Sequence, residues 1–143
     1  SEWYRTAPMY HKSIGILFVA VIIFRLVWRI RQIQPTALGS KIENRMASLA
    51  HGLIYLLFFS LFISGYLIST ADGRGIDVFN WFTVPSLGEL IENQEDIAGL
   101  VHEWLAYSLI GLAVLHALAA FKHHFVNEDD TLKRILKPIE DKS

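Results

Sequence analysis

The sequence predicts an all-α fold: a membrane helix bundle with three transmembrane helices, taken as part of a four-helix up-down bundle. Three observations carry this. Hydrophobic residues make up 52% of the 143-residue chain and gather in three long segments. Each segment reaches the roughly 20 residues a helix needs to cross a bilayer's hydrocarbon core. The basic residues favour alternate connections, which gives each crossing a direction. The chain reads as one domain over residues 1–143, with helices at about 12–30, 46–71 and 97–126. An outer loop covers 72–96, and an amphipathic inner tail covers 129–138.

The first segment, "SIGILFVAVIIFRLVWRI" (13–30), carries its arginines, Arg25 and Arg29, only near one end. The second, "MASLAHGLIYLLFFSLFISGYLISTA" (46–71), holds His51 as its single group that titrates near neutral pH. The third is "IAGLVHEWLAYSLIGLAVLHALAAF" (97–121). Arg29, Arg31, Lys41 and Arg45 lie between the first two, and Lys122, Lys133, Arg134, Lys137 and Lys142 follow the third. The remaining connections hold only Arg5, Lys12 and Arg74 against eight acidic residues from Glu2 to Glu103. By the positive-inside rule, the 30–46 loop and the C-terminus are cytoplasmic, and the N-terminus and the 72–99 loop are outside. An outside start at Ser1 without a signal peptide predicts an upstream helix that this stretch lacks, the alternative being a genuine three-helix protein.

The chain has no cysteine, so its own residues make no disulfide, thiolate zinc site or iron–sulfur cluster. In the outer loop, Gly, Pro and Asp mark turns, "SLGELIE" predicts a short surface helix, and Trp81 and Phe82 read as interfacial aromatics. Beyond the third segment, "NEDDTLKRILK" predicts a capped helix lying along the inner surface.

The chemistry lies in the histidines, which are rare inside bilayers and functional by default. His102 and His116 bound "HEWLAYSLIGLAVLH". Fourteen residues fall some 40° short of four turns, so both rings share a face, roughly 21 Å apart along the axis. His11, in "MYHKSIGI", lies at the depth of His102 on a neighbouring helix. Two neutral imidazoles facing each other across a bundle form the axial pair of a low-spin b-type haem. Gly15 lies one turn deeper than His11 on nearly the same face, where a side chain would crowd a porphyrin. The plain readings are a water-facing His11 and helix-to-helix hydrogen bonds for the buried rings.

Arg25 follows His11 by the same fourteen-residue interval. It either snorkels to the inner surface or pairs with the propionates of a second haem near His116. His116 finds its second ligand in His51 or in a histidine outside this stretch. His123, seven residues after His116, suits propionate contact, quinone contact or proton delivery, and His124 points elsewhere. "KHHF" has no HxxxH or HExxH spacing, which disfavours a di-iron or zinc site.

The order "MYHKSIGI…RLVWR", "LAHGLIYLL…ISGYLISTADG", "HEWLAYSLIGLAVLHALAAFKHHF", "DDTLKRIL" resembles the bacterial cytochrome b561 family over essentially the whole chain. The resemblance implies a four-helix bundle with two b haems in the bacterial inner membrane and cytoplasmic termini. It assigns iron ligation to His11, His102 and His116, with the fourth ligand on a first helix absent here. The outer haem is then complete, whereas the inner one has only His116. His51 matches a histidine the family does not use as an axial ligand, and becomes a candidate for supporting the inner haem or a quinone site.

The expected function is transmembrane electron transfer between a quinone pool, ubiquinone or menaquinone, and a donor or acceptor at the periplasmic face. Superoxide and a small periplasmic redox or lipid-binding protein are the candidates there. The acidic outer surface favours a protein or quinol over an anion, except near Arg5, Lys12 and Arg74. Membrane lipids are expected neighbours, nucleic acid is not a partner, and homodimerisation stays open. The rivals are a haem-b anchor subunit of a dehydrogenase or hydrogenase, and a cofactor-free bundle, which would purify colourless.

Overall fold

The structure is a computed structural model that describes residues 2–33, 36–37, 39–126, 128 and 130. Three long helices dominate it: α1 (Trp3–Arg31), α2 (Lys41–Thr70) and α3 (Gln94–Phe125). Each is long and apolar enough to cross a membrane, and almost none of the apolar windows is buried within the protein. Ile14, Phe18, Phe24, Leu56, Trp104 and Leu118 point outward at half exposure or more. An apolar surface of this extent needs lipid around it.

The helices outrun the apolar segments because their polar flanks continue the winding. At α2 the cause is a capping box: Ser40 Oγ accepts from the Glu43 backbone N–H at 3.3 Å, and the Glu43 carboxylate accepts from the Ser40 N–H at 2.9 Å. This closes the first turn at Lys41, ahead of the apolar run. At α1 the Glu2 carbonyl accepts from both Arg5 and Thr6, so winding begins at Trp3 and passes through Pro8. The helix expected over 129–138 falls, apart from Asp130, outside the described residues.

The loop between α2 and α3 departs from expectation. Residues 86–92 form no helix. Tertiary partners take their backbone groups instead: the Leu87 N–H donates to the Tyr66 hydroxyl at 3.1 Å and the Leu90 N–H to Gln94 Oε1 at 2.7 Å. Pro85 and Gly88, the latter at φ +75°, break what remains. Ahead of this segment lies an antiparallel hairpin, β1 (Ile76–Val78) with β2 (Phe82–Val84), pairing Ile76 with Val84 and Val78 with Phe82.

Neighbouring helices run antiparallel, as the pairs Phe18–Phe58 and His51–His116 require. The principal packing is α2 on α3, whereas α1 leans chiefly on β1. Among the described residues α1 and α3 make no close backbone contact, which leaves a gap between them. At the hairpin end Ser13, fully buried on α1, donates to the Asp77 carbonyl at 3.3 Å and accepts from the Phe79 N–H at 3.2 Å. Gln94, 1% exposed, bonds both the Leu67 carbonyl and the Leu90 N–H. Polar pairing therefore knits this end where the apolar core is small.

Ser13→Ala should strip the acceptor from the Phe79 N–H and loosen the hairpin. The expected cost is about 1–3 kcal/mol, read as a lower thermal midpoint in detergent with faster proteolysis within 76–84. Unchanged values would show that α1 does not hold the hairpin through this hydroxyl.

Candidate functional site: two histidine pairs

Four of the six histidines stand in two facing pairs, one toward each end of the bundle. At the hairpin end, α1 carries His11 and α3 carries His102. Their ring centroids are 6.2 Å apart and their planes lie at 85°. Metal–imidazole bonds of about 2 Å would set two opposed ring centroids roughly 6 Å apart. The spacing thus suits one iron between the rings. Beside them lies a cavity of about 540 Å³, bordered by Gly15, Phe18, Phe58, Gly65, Tyr66 and Ile76.

The two glycines act differently there. Nothing lies within 4 Å of a Cβ built on Gly15, so its bareness leaves space rather than relieving a clash. A Cβ on Gly65 would stand 3.1 Å from His102 Cε1. Gly65 therefore lets the His102 ring lie against α2. Once there, His102 Nδ1 lies 3.0 Å from both Ser64 Oγ and the Leu61 carbonyl oxygen. An apolar-walled cavity bordered by both imidazoles fits a haem, and His11 and His102 are the residues that would hold it.

At the other end His51 on α2 and His116 on α3 have ring centroids 4.6 Å apart, with planes at 69°. That is too close for an iron between opposed rings. The described geometry therefore sets His51 against the edge of His116 and not across a metal from it. Arg25 donates from Nη1 to the Tyr55 hydroxyl. A second cavity of about 310 Å³ is bordered by Leu26, Arg29, Ser48, His51, Gly52 and Tyr55. Glu43 Oε1 faces His123 Nε2 at 3.9 Å and Lys122 Nζ at 4.0 Å. The His124 ring rests against Phe125. Among the described residues no group of three or more His, Cys, Asp or Glu could hold a metal ion, so these are two-ligand arrangements.

In the loop between α2 and α3, Arg74 donates to Asp72 from Nε at 2.7 Å and from its backbone N–H at 3.0 Å. These bonds hold the Asp72 carboxyl below its ordinary range. Arg74 is thus partly neutralised as an attractor of anions, while Lys12 borders the larger cavity. Leu61, Ser64 and Gly65 are the site residues that sequence reasoning missed. The available signal was the Ser–Gly step inside an otherwise apolar span.

Membrane-crossing helices with paired histidines across an apolar slot make up the architecture of a membrane b-type cytochrome. The sequence profile of prokaryotic cytochrome b561 matches residues 1–138, and the chain belongs to that family. "Cytochrome b561 homolog 2" of Escherichia coli (strain K12) is 49% identical over 136 residues, covering 94% of this chain and 72% of the relative. "Probable superoxide oxidase CybB" of Yersinia pestis is 32% identical over 133 residues, covering 90% and 73%. "Cytochrome b561 homolog 1" of the same E. coli strain is 29% identical over 131 residues, covering 88% and 72%. The protein is thus a multi-pass membrane electron-transfer oxidoreductase with haem b as its cofactor.

Gly65→Ala should press on His102 and lower the stability of the haem-free protein by about 1–3 kcal/mol. Gly15→Ala, opening into free space, should be neutral or gain up to about 1 kcal/mol from helix propensity. Thermal unfolding of the two variants without haem separates them, and equal shifts would refute the distinction.

Proposed function

We propose that the chain carries electrons across the bacterial inner membrane between a quinone pool and a donor or acceptor at the periplasmic face. His11 and His102 hold the outer haem, and His116 supplies one ligand of an inner haem, roughly 21 Å further along α3. The hairpin end faces the periplasm and the C-terminus the cytoplasm, in keeping with the basic residues around α1–α2 and after α3. The observation that carries this reading is the 6.2 Å ring pair across the apolar slot.

When bound, haem supplies reversible one-electron storage. The protein's part is to orient the ligand rings, exclude water with apolar walls and set charge near the propionates. Arg25 is the propionate partner of the inner haem. Its bond is to the hydroxyl of Tyr55, a residue that borders the inner cavity. That cavity, with His51 in its wall, receives the head group of ubiquinone or menaquinone, and His123 lies further along α3 against Glu43. Reduction of quinone to quinol takes two electrons and two protons, and the imidazoles of His51 and His123 can deliver the protons.

Two donors suit the outer face. The name of the Yersinia relative supports superoxide, which gives up one electron and leaves as dioxygen. Lys12 beside the slot supplies local positive charge for such an anion. The acidic surface around it and the Asp72–Arg74 pair favour a periplasmic redox or lipid-binding protein.

The test is a reduced-minus-oxidised absorption spectrum with haem-to-protein ratio on the detergent-purified full-length protein. We expect two b haems. His11→Ala and His102→Ala should each remove the same one, and His116→Ala the other. Gly15→Ala should weaken retention of the outer haem only. Unchanged haem in His102→Ala would overturn the ligand assignment.

A further inference from the structure

Ser64 holds no iron in this scheme, yet it is only 4% exposed among the apolar residues of α2, toward the hairpin end. Its hydroxyl donates to the Leu61 carbonyl at 2.9 Å. The same carbonyl oxygen lies 3.0 Å from His102 Nδ1. A carbonyl only accepts, so the proton of a neutral His102 ring resides on Nδ1. Because the Ser64 hydrogen is already committed to Leu61, its oxygen, also 3.0 Å from Nδ1, accepts from that same N–H.

One N–H is therefore shared between two acceptors supplied by a single turn of α2, and Nε2 is left with its lone pair. Gly65, next in sequence, lets the ring approach closely enough for both bonds. Hydrogen bonding at the far nitrogen of a metal-bound imidazole fixes its tautomer and raises its basicity. A more basic axial ligand stabilises ferric over ferrous iron.

Building on the proposed ligation by His102, we propose that Ser64 is a positioning residue for this ring. It accepts a second share of the Nδ1–H that the Leu61 carbonyl fixes, strengthens donation through Nε2 and lowers the reduction potential of the outer haem. The role is one of tuning: the Leu61 carbonyl alone keeps the ring in place.

Redox titration of the full-length, haem-loaded protein, followed optically, tests this. Ser64→Ala should keep the wild-type haem-to-protein ratio and raise the midpoint potential of the outer haem, with the inner one unmoved. Ser64→Thr, whose hydroxyl can still bond the carbonyl one turn back, should return the potential toward wild type. Should Ser64→Ala fail to fold, Ser64→Cys replaces the oxygen with a weaker acceptor and should also raise the potential. An unchanged or lowered potential in Ser64→Ala, or in Ser64→Cys where Ser64→Ala does not fold, overturns the proposal. His102→Ala, run in parallel, separates the two readings. Haem kept there defeats the ligation itself, whereas haem lost there with the Ser64→Ala potential unmoved defeats only the role of Ser64.

Discussion

The hairpin end depends on holding α1 away from α3 at the depth of His11 and His102. In a bundle of apolar helices nothing in the side chains favours a gap, because van der Waals contact would close it. Here β1 packs on α1 and touches α2, bracing α1 where it stands clear of α3. Ile76 and Val78 are buried against the bundle, and Ser13 ties the α1 backbone to the hairpin through two bonds. α1 thus rests on the hairpin, and the two imidazoles reach across the space that remains.

Polar chemistry is concentrated where it can be satisfied. The buried polar residues Ser13, Ser64, Thr70 and Gln94 all lie toward the hairpin end, and each bonds to backbone. In lipid an unpaired polar group costs several kcal/mol, so these bonds fix geometry as well as stability. The opposite end is built differently. Its polar groups include Arg25 with Tyr55, and Glu43 with Lys122 and His123 at the helix ends. The first end therefore holds the His102 ring through short buried bonds to α2, whereas the second relies on longer and more exposed side chains.

Much of this was legible in the sequence. Apolar runs of bilayer length and the alternation of basic loops gave the three crossings, and the 14-residue spacing of His102 and His116 gave the stripe. The pairing of His11 with His102 followed from depth alone. The hairpin was not legible, because its turn lacks the expected Asn-Gly or Asp-Gly signal. Phe79 and Asn80 both take positive φ, at 46° and 60°. A bulky residue in that region needs tertiary support, here the rings of Tyr10 and Trp81 on either side of Phe79. Ser64 was hidden for another reason: a serine in an apolar helix ordinarily bonds its own backbone, and only the fold reveals the second partner.

Electron paramagnetic resonance of the ferric outer haem tests the central claim most directly, because the signal of low-spin haem reports its axial rings. Two imidazoles with planes near the observed 85° predict a low-spin spectrum dominated by one large-g feature, lost together in His11→Ala and His102→Ala. A high-spin signal in the wild type, or the three-line rhombic spectrum of parallel rings, would contradict the account.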